Sequence, residues 1–176
     1  QVLPLALFDY LRKSKSKGFV LSLSGGADSS TIAIMVARMV QIGVAELGID
    51  TFLNRINLVG DFNNEAEIVG KILITAYQGT KNSSKATAAS ARNLAKSIGA
   101  THHEWIIDDQ VKGYTSLIEK VIDRKLVWEK DDITLQNIQA RSRSPIIWML
   151  ANIHNHLLLT TSNRSEGDVG YATMDS

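Results

Sequence analysis

The sequence predicts an α/β protein, a doubly wound parallel sheet with helices on both faces. Short apolar runs alternate with longer stretches whose apolar residues recur at helical spacing. This alternation is typical of βαβ units, in which a helix joins two parallel strands. A glycine-rich loop also leads directly from the first apolar run into a helical stretch. The length of 176 residues fits one ordinary domain, so we expect residues 1–176 to form a single domain.

Four segments have the pattern of buried strands. The first, GFVLSL, is an apolar run that begins at a glycine. The predicted strands are 18–23, 71–77, 103–107 and 157–161.

Helical spacing fills the intervals between these strands. In the opening stretch, for example, Leu7 and Leu11 lie four residues apart. Gly99 is placed to end one helix as a C-cap residue. Pro145 interrupts the last helical region, where Ser144 and Pro145 could begin a new helix as its N-cap and first residue. The predicted helices are 3–11, 32–42, 86–98, 111–124 and 135–153.

Composition excludes several classes of function. The chain has no Cys, which excludes disulfide frameworks, thiolate zinc sites, iron–sulfur clusters and cysteine nucleophiles. With 19 basic and 18 acidic residues, a broad nucleic-acid surface is not expected. We find no stretch that approaches the roughly 20 apolar residues of a membrane span and no signal peptide. We therefore expect a cytoplasmic protein with no membrane or nucleic-acid partner.

The loop after the first predicted strand has the features of a phosphate site. It has the sequence SGGADSS and leads into a helix. Glycines let backbone N–H groups approach an anion, and the helix N-terminus adds partial positive charge. The loop is not of the Walker type, because no Gly-Lys-Ser/Thr follows. The candidate ligand contacts are Ser24, Gly25, Gly26, Asp28, Ser29 and Ser30.

Asp28 indicates that a cation accompanies the phosphate. A carboxylate inside such a loop repels phosphate unless a cation bridges them, and Mg²⁺ favours this mixed set of ligands. The alternative is that Asp28 only caps the helix N-terminus. The surrounding heptapeptide favours the magnesium role.

The segment SGGADS after a strand resembles the signature loop of the ATP pyrophosphatase superfamily. The resemblance implies an adenine nucleotide alpha-hydrolase-like fold and cleavage of ATP between its α and β phosphates. Members activate a substrate as an adenylate, and a nitrogen or sulfur nucleophile then displaces AMP. The loop does not identify the substrate.

Three further segments resemble those of NAD synthetases, in particular the glutamine-dependent branch. They are YQGTKNSS at 77–84, LQNIQARSR at 135–143 and LLTTSNRSE at 158–166. The resemblance implies ATP contacts at Ser84 and Thr161. It also implies a second magnesium carboxylate at Glu166, which would act in catalysis together with Asp28. The alternative for Glu166 is a solvated acid in the first turn of a helix.

The second of these segments carries the implied substrate contacts. Asn137 and Arg141 are four residues apart and share one helical face, and they match positions that contact deamido-NAD in the family. The alternative is an ordinary exposed helix face. We assign no role to Arg143. If the first and fourth strands are neighbours, the Asp28 and Glu166 carboxylates should share one ion and lie within roughly 4–5 Å.

The implied reaction is the ATP-dependent amidation of deamido-NAD to NAD, with ATP and Mg²⁺ as cofactors and ammonia as the nucleophile. The resemblance also implies a homodimer and a glutaminase domain outside this chain. Because the family pattern continues past Ser176, we expect a fragment that lacks its C-terminal part. The alternatives are another amidating ATP pyrophosphatase, GMP-synthetase-like or asparagine-synthetase-like, or a non-catalytic nucleotide-binding module.

Overall fold

The computed structural model describes residues 2–161. Within this range the chain forms eight helices and four strands. The helices are α1 (Val2–Ser14), α2 (Ala27–Leu47), α3 (Ile49–Arg55), α4 (Glu65–Ile72), α5 (Lys85–Ile98), α6 (Asp108–Ile122), α7 (Trp128–Arg141) and α8 (Ser144–His154). The strands are β1 (Phe19–Ser22), β2 (Leu73–Gly79), β3 (Thr101–Ile106) and β4 (Leu157–Leu159).

The four strands form one parallel sheet in the order β3-β2-β1-β4. Phe19 of β1 lies opposite Leu73 of β2 on one side and Leu157 of β4 on the other. The chain steps outward from β1 to β2 and β3, and β4 then returns to the opposite side of β1. The direction of winding therefore reverses between β1 and β4. The predicted parallel sheet is confirmed, and so is the predicted pairing of the first and fourth strands.

Each face of the sheet has its own hydrophobic core. Phe19 and Leu21 belong to the larger core, which includes buried residues of α2, α4 and α5. Val20 points to the other face, because successive side chains of a strand alternate. There it packs in a smaller core with Ile147 and Ala151 of α8. Helices therefore cover both faces, as the sequence predicts.

The segment before β2 differs from the prediction. The sequence predicts a strand at 71–77, but α4 continues to Ile72 and β2 runs from Leu73 to Gly79. Hydrophobic periodicity misses this boundary because the apolar residues continue unbroken from the helix into the strand. The prediction also lacks α4, although its N-terminal signal is present. The Asn64 side chain accepts a hydrogen bond from the Glu67 backbone N–H at 3.0 Å.

The predicted helical region 135–153 is two helices. The first, α7, begins earlier than predicted and ends at Arg141, and α8 starts at Ser144. Pro145 lies in the first turn of α8, where its missing N–H removes no helical hydrogen bond. The expected new helix is confirmed. Its N-cap residue, however, is Arg143 and not Ser144.

One helix of the described chain, α2, is long and apolar enough to span a membrane by length and composition. This corrects the prediction that no stretch approaches that length. The residues Ala33, Val36 and Val40 are buried in the larger core. These residues of α2 therefore pack in the larger core.

Candidate functional site

The loop between β1 and α2 is held together by serine hydroxyls. Ser29 is only 3% exposed, and its hydroxyl accepts a hydrogen bond from the Ser24 backbone N–H at 3.3 Å. The two hydroxyls lie 3.1 Å apart, and Ser29 Oγ donates to the Gly26 carbonyl at 3.4 Å. Ser24, in contrast, is exposed. Ser29 therefore stabilises the loop, and the Ser24 hydroxyl lies at its surface.

Gly25 is required by the packing of this loop against α5. Its φ is +81°, a region that favours glycine. A Cβ at this position would also lie far inside van der Waals contact of the Thr87 carbonyl oxygen. The sequence analysis attributes the glycines to anion approach alone. The structure adds a close backbone contact with α5.

The N-terminus of α5 lies beside the phosphate loop through this contact. Ser84 is the N-cap of α5, and its hydroxyl accepts a hydrogen bond from the Ala86 N–H at 3.1 Å. The Thr87 hydroxyl donates to the Ser84 carbonyl at 2.8 Å and lies 3.0 Å from the Tyr77 hydroxyl. The structure therefore brings Ser84 to the loop. Its role as an ATP contact stays a prediction.

Asp28 is not the helix cap. The N-cap of α2 is Gly26, and Asp28 lies in the first helical turn, exposed to solvent. Within residues 2–161 its carboxylate has no hydrogen-bond or ion-pair partner. The capping alternative is therefore wrong, and the carboxylate is accessible at the phosphate loop.

A cleft of about 590 Å³ opens at the carboxyl ends of β1 and β4. One wall is α8, and the floor contains Ser22 and Gln78. Thr161, the last described residue, also lines it. The cleft therefore lies where the winding of the sheet reverses, which is the usual ligand position in open α/β sheets.

Polar side chains in the cleft form a connected network. Gln78 donates from Nε2 to the Ser22 hydroxyl at 3.2 Å and accepts from Trp105 Nε1 at 3.2 Å. Arg143 Nε donates to the Gln78 carbonyl oxygen at 3.0 Å, and its Nη1 donates to the Gln139 carbonyl at 3.0 Å. The guanidinium is partly buried, and burial lowers the pKa of Arg143.

Asn137 and Arg141 lie on one face of α7, as predicted. Arg141 Nη1 donates to Asn137 Oδ1 at 3.0 Å. Asn137 is exposed and Arg141 is partly buried. Neither residue lines the 590 Å³ cleft, so this pair forms a separate surface adjoining it.

The second predicted magnesium carboxylate, Glu166, lies outside the described residues. Its distance to Asp28 stays a prediction. Among residues 2–161, no cluster of three or more potential metal-binding side chains is present. A Mg²⁺ ion that also binds nucleotide phosphates needs only one or two protein carboxylates. The exposed Asp28 carboxylate therefore fits a magnesium ligand in a nucleotide complex.

The NAD synthase family model matches residues 1–174. The chain belongs to this family.

Individual NAD synthase relatives agree with this assignment. A glutamine-dependent NAD(+) synthetase from Cytophaga hutchinsonii, solved by crystallography, is 57% identical with a TM-score of 0.94, covering 99% of this chain and 32% of that one. A glutamine-dependent NAD(+) synthetase of Oryza sativa subsp. indica is 36% identical over 189 residues, covering 95% of this chain. The predicted resemblance to the glutamine-dependent branch is confirmed. The chain spans about a quarter of the length of the curated relatives it matches.

A more distant NAD synthase structure shares the fold. The glutamine-dependent NAD+ synthetase from Acinetobacter baumannii, determined in complex with ADP, is 23% identical with a TM-score of 0.70. The match covers 98% of this chain and 26% of that one.

Sequence reasoning missed three residues of the cleft: Ser22, Gln78 and Arg143. The signal for the first two is that each is a polar residue near the carboxyl end of an otherwise apolar strand. Because such a side chain is buried at cost unless it is hydrogen-bonded, its presence there indicates a polar network. Arg143 had no comparable signal, since its position depends on the break between α7 and α8.

Proposed function

We propose that this chain carries the synthetase site of an NAD synthetase, which amidates deamido-NAD to NAD at the expense of ATP. The carboxylate of deamido-NAD would attack the α-phosphorus of ATP and release pyrophosphate. Ammonia would then attack the acyl-adenylate carbonyl carbon and release AMP. Membership of the NAD synthase family supports the reaction class.

The parallel pairing of β1 with β4 is the observation that carries this proposal. It brings the phosphate loop after β1 and the Thr161 segment after β4 to the same edge of the sheet. A nucleotide in the cleft would have its phosphates at the loop and the rest of the molecule along α8. The ADP complex of the Acinetobacter baumannii relative supports an adenine nucleotide as the ligand.

The residues of the loop suit phosphate binding and charge neutralisation. Ser24 offers an exposed hydroxyl, and the N-terminus of α2 adds unpaired N–H groups and partial positive charge. Asp28, with Glu166 as a proposed second carboxylate, would hold Mg²⁺. When bound, the ion supplies positive charge that stabilises the departing pyrophosphate. The residues of the chain bind and orient the two substrates and exclude water from the site. No covalent nucleophile is required.

The substrate deamido-NAD would contact the surface of Asn137 and Arg141. The guanidinium of Arg141 can bind a phosphate or carboxylate with two parallel hydrogen bonds. Its contact with Asn137 orients it on α7. This surface adjoins the cleft, as an adenylate formed between the two ligands requires.

A homodimer and a separate source of ammonia complete the proposal. Neither α6 nor α7 contributes a buried residue to the described chain. Their apolar residues Leu117, Val121 and Ile133 are 64%, 78% and 70% exposed. An exposed apolar surface of this kind favours association with another subunit. We propose glutamine as the source of ammonia through a glutaminase domain, because the relatives are named as glutamine-dependent and are about four times longer.

The test is an assay with ATP, Mg²⁺, deamido-NAD and ammonium that measures NAD, AMP and pyrophosphate together. We expect all three products in equal amounts. Substitution of xanthosine monophosphate or aspartate for deamido-NAD tests the other amidating classes. The assay is repeated with this chain fused to the remaining parts of a longer relative. If both proteins bind ATP but form no product, the chain is a non-catalytic nucleotide-binding module.

A further inference from the structure

Arg143 lies in the cleft at the junction of α7 and α8. Its side chain is fixed at two points, by Nε on the Gln78 carbonyl and by Nη1 on the Gln139 carbonyl, each at 3.0 Å. Gln78 is itself held by Ser22 and Trp105. The guanidinium therefore has a defined position in the cleft before any ligand binds.

The charge of this guanidinium is not neutralised by the described chain. Both partners are neutral carbonyl groups, and no carboxylate of residues 2–161 lies within ion-pair distance of Arg143. Arg12, Arg92 and Arg124 each form an ion pair with an acidic side chain, but all three are exposed. Arg143, in contrast to these three, is partly buried and has no acidic partner within the described residues.

A buried cation without a counter-charge is unfavourable, and a bound anion removes the penalty. The fork of Arg143 has N–H groups left for such a ligand. Nη2 makes no hydrogen bond within the described residues, and Nη1 has a second hydrogen. A phosphate oxygen matches these donors in charge and geometry.

We propose that Arg143 binds a phosphate group of the nucleotide that occupies this cleft. The inference rests on the proposed function, which places a nucleotide there, and it goes further by naming the group that receives its phosphate. Ser22, which is hydrogen-bonded to Gln78, lies two residues before the phosphate loop. Arg143 lines the cleft together with Ser22, so Arg143 and the loop that follows β1 would contact one nucleotide. Two ligands could supply the phosphate, the ATP-derived AMP moiety and deamido-NAD.

The experiment compares AMP with adenosine, which lacks the phosphate. Affinities of the wild-type chain and of the variant Arg143→Gln are measured by calorimetry for AMP, adenosine and deamido-NAD. We expect AMP to bind Arg143→Gln about 10- to 100-fold more weakly, because a charge-assisted hydrogen bond is lost. Adenosine affinity should stay unchanged. Arg143→Lys, which keeps the charge but loses the fork, should be intermediate.

Arg38→Gln is the matched control. Arg38 is an exposed residue of α2 that contacts Gln41, so its loss changes the net charge equally without affecting the cleft. Circular dichroism and thermal unfolding of each variant check that α8 is intact, since Arg143 is its N-cap.

The affinities distinguish AMP from deamido-NAD as the source of the phosphate, and a phosphate-binding role of Arg143 from a structural one. A selective loss for AMP assigns the phosphate to the ATP side, and a selective loss for deamido-NAD with AMP unchanged assigns it to the dinucleotide. Equal losses for AMP and adenosine would show a purely structural arginine and overturn the inference, as would unchanged affinity for every ligand. If the wild-type chain binds none of these ligands, the proposed function fails together with the inference.

Discussion

Gly25 and Thr87 bring two helices to the same point at the edge of the sheet. The α-carbon of Gly25 approaches the Thr87 carbonyl oxygen so closely that no side chain fits between them. Through this contact the phosphate loop, which precedes α2, rests on the first turn of α5.

We predict that Gly25→Ala destabilises the protein and weakens AMP binding. A non-glycine residue at positive φ incurs strain of about 1–3 kcal/mol, and the added Cβ also displaces the Thr87 carbonyl. Gly48→Ala is the control, because Gly48 has a φ of +77° but open space around its Cβ position. Urea unfolding should show a larger loss for Gly25→Ala, and only that variant should lose AMP affinity. Equal losses for both would mean that the contact with α5 is unimportant.

Asp28→Asn should abolish Mg²⁺-dependent turnover and preserve the fold. The carboxylate is exposed and has no partner within the described residues, so its replacement should change the unfolding free energy by less than about 0.5 kcal/mol. Asp50→Asn, another exposed first-turn acid, on α3, should keep full activity. The measurement is turnover as a function of Mg²⁺ concentration. Unchanged kcat in folded Asp28→Asn would exclude Asp28 as a magnesium ligand.

A double-mutant cycle with Glu166→Gln tests whether both carboxylates hold one ion. If they share Mg²⁺, loss of either should have nearly the full effect, and the double variant should add little. Additive effects of the two substitutions would contradict a shared ion.

Arg141→Ala should weaken deamido-NAD binding by about tenfold or more, as expected for loss of a charge-assisted contact. ATP binding should change little, because Arg141 does not line the cleft. Gln136→Ala removes an exposed neighbour on the same helix and serves as the control. Titrations of each variant with deamido-NAD and with ATP measure the two affinities. Equal losses for the two ligands would place Arg141 in the nucleotide site.

Stability should fall below neutral pH because of His156. Burial lowers the pKa of His156 to about 4, from an ordinary 6.5. The unfolded chain therefore takes up a proton near pH 6.5 that the folded chain accepts only near pH 4. This contribution of His156 to the free energy of unfolding is fully present above pH 6.5 and is lost as the pH falls toward 4.

Urea unfolding between pH 7 and pH 4 measures this effect. His156→Gln should flatten the dependence, whereas His103→Gln, an exposed histidine on β3, should not. A wild-type profile that stays level from pH 7 to 4 would contradict the lowered pKa.

The sheet was predictable because its strands are short apolar runs separated by helical periodicity. Even the neighbouring position of the first and fourth strands followed from the rule that ligands bind where the winding reverses. The helix boundary at Ile72 was not predictable from periodicity, since no polar residue marks it. The break between α7 and α8 was signalled by Pro145, but its exact cap depended on the packing of Arg143.

The part of the candidate site that lies in one short sequence motif was predictable. Gly25 and Asp28 belong to one loop whose chemistry is readable from seven residues. Gln78 and Arg143 are 65 residues apart, and only the tertiary fold shows that they touch. Contacts between distant segments leave no periodic signal in a single sequence, so the polar network of the cleft required the structure.

The position of β1 between β2 and β4 has a consequence for the newly made chain. A ribosome releases the chain from its N-terminus, so β1, β2 and β3 are available long before β4. Until β4 emerges, one edge of β1 has unpaired backbone groups, and such edges invite wrong partners. The cleft, whose second wall is β4, cannot exist in that interval. We therefore expect the nascent chain to depend on chaperone protection until β4 has emerged and to bind nucleotide only after that point.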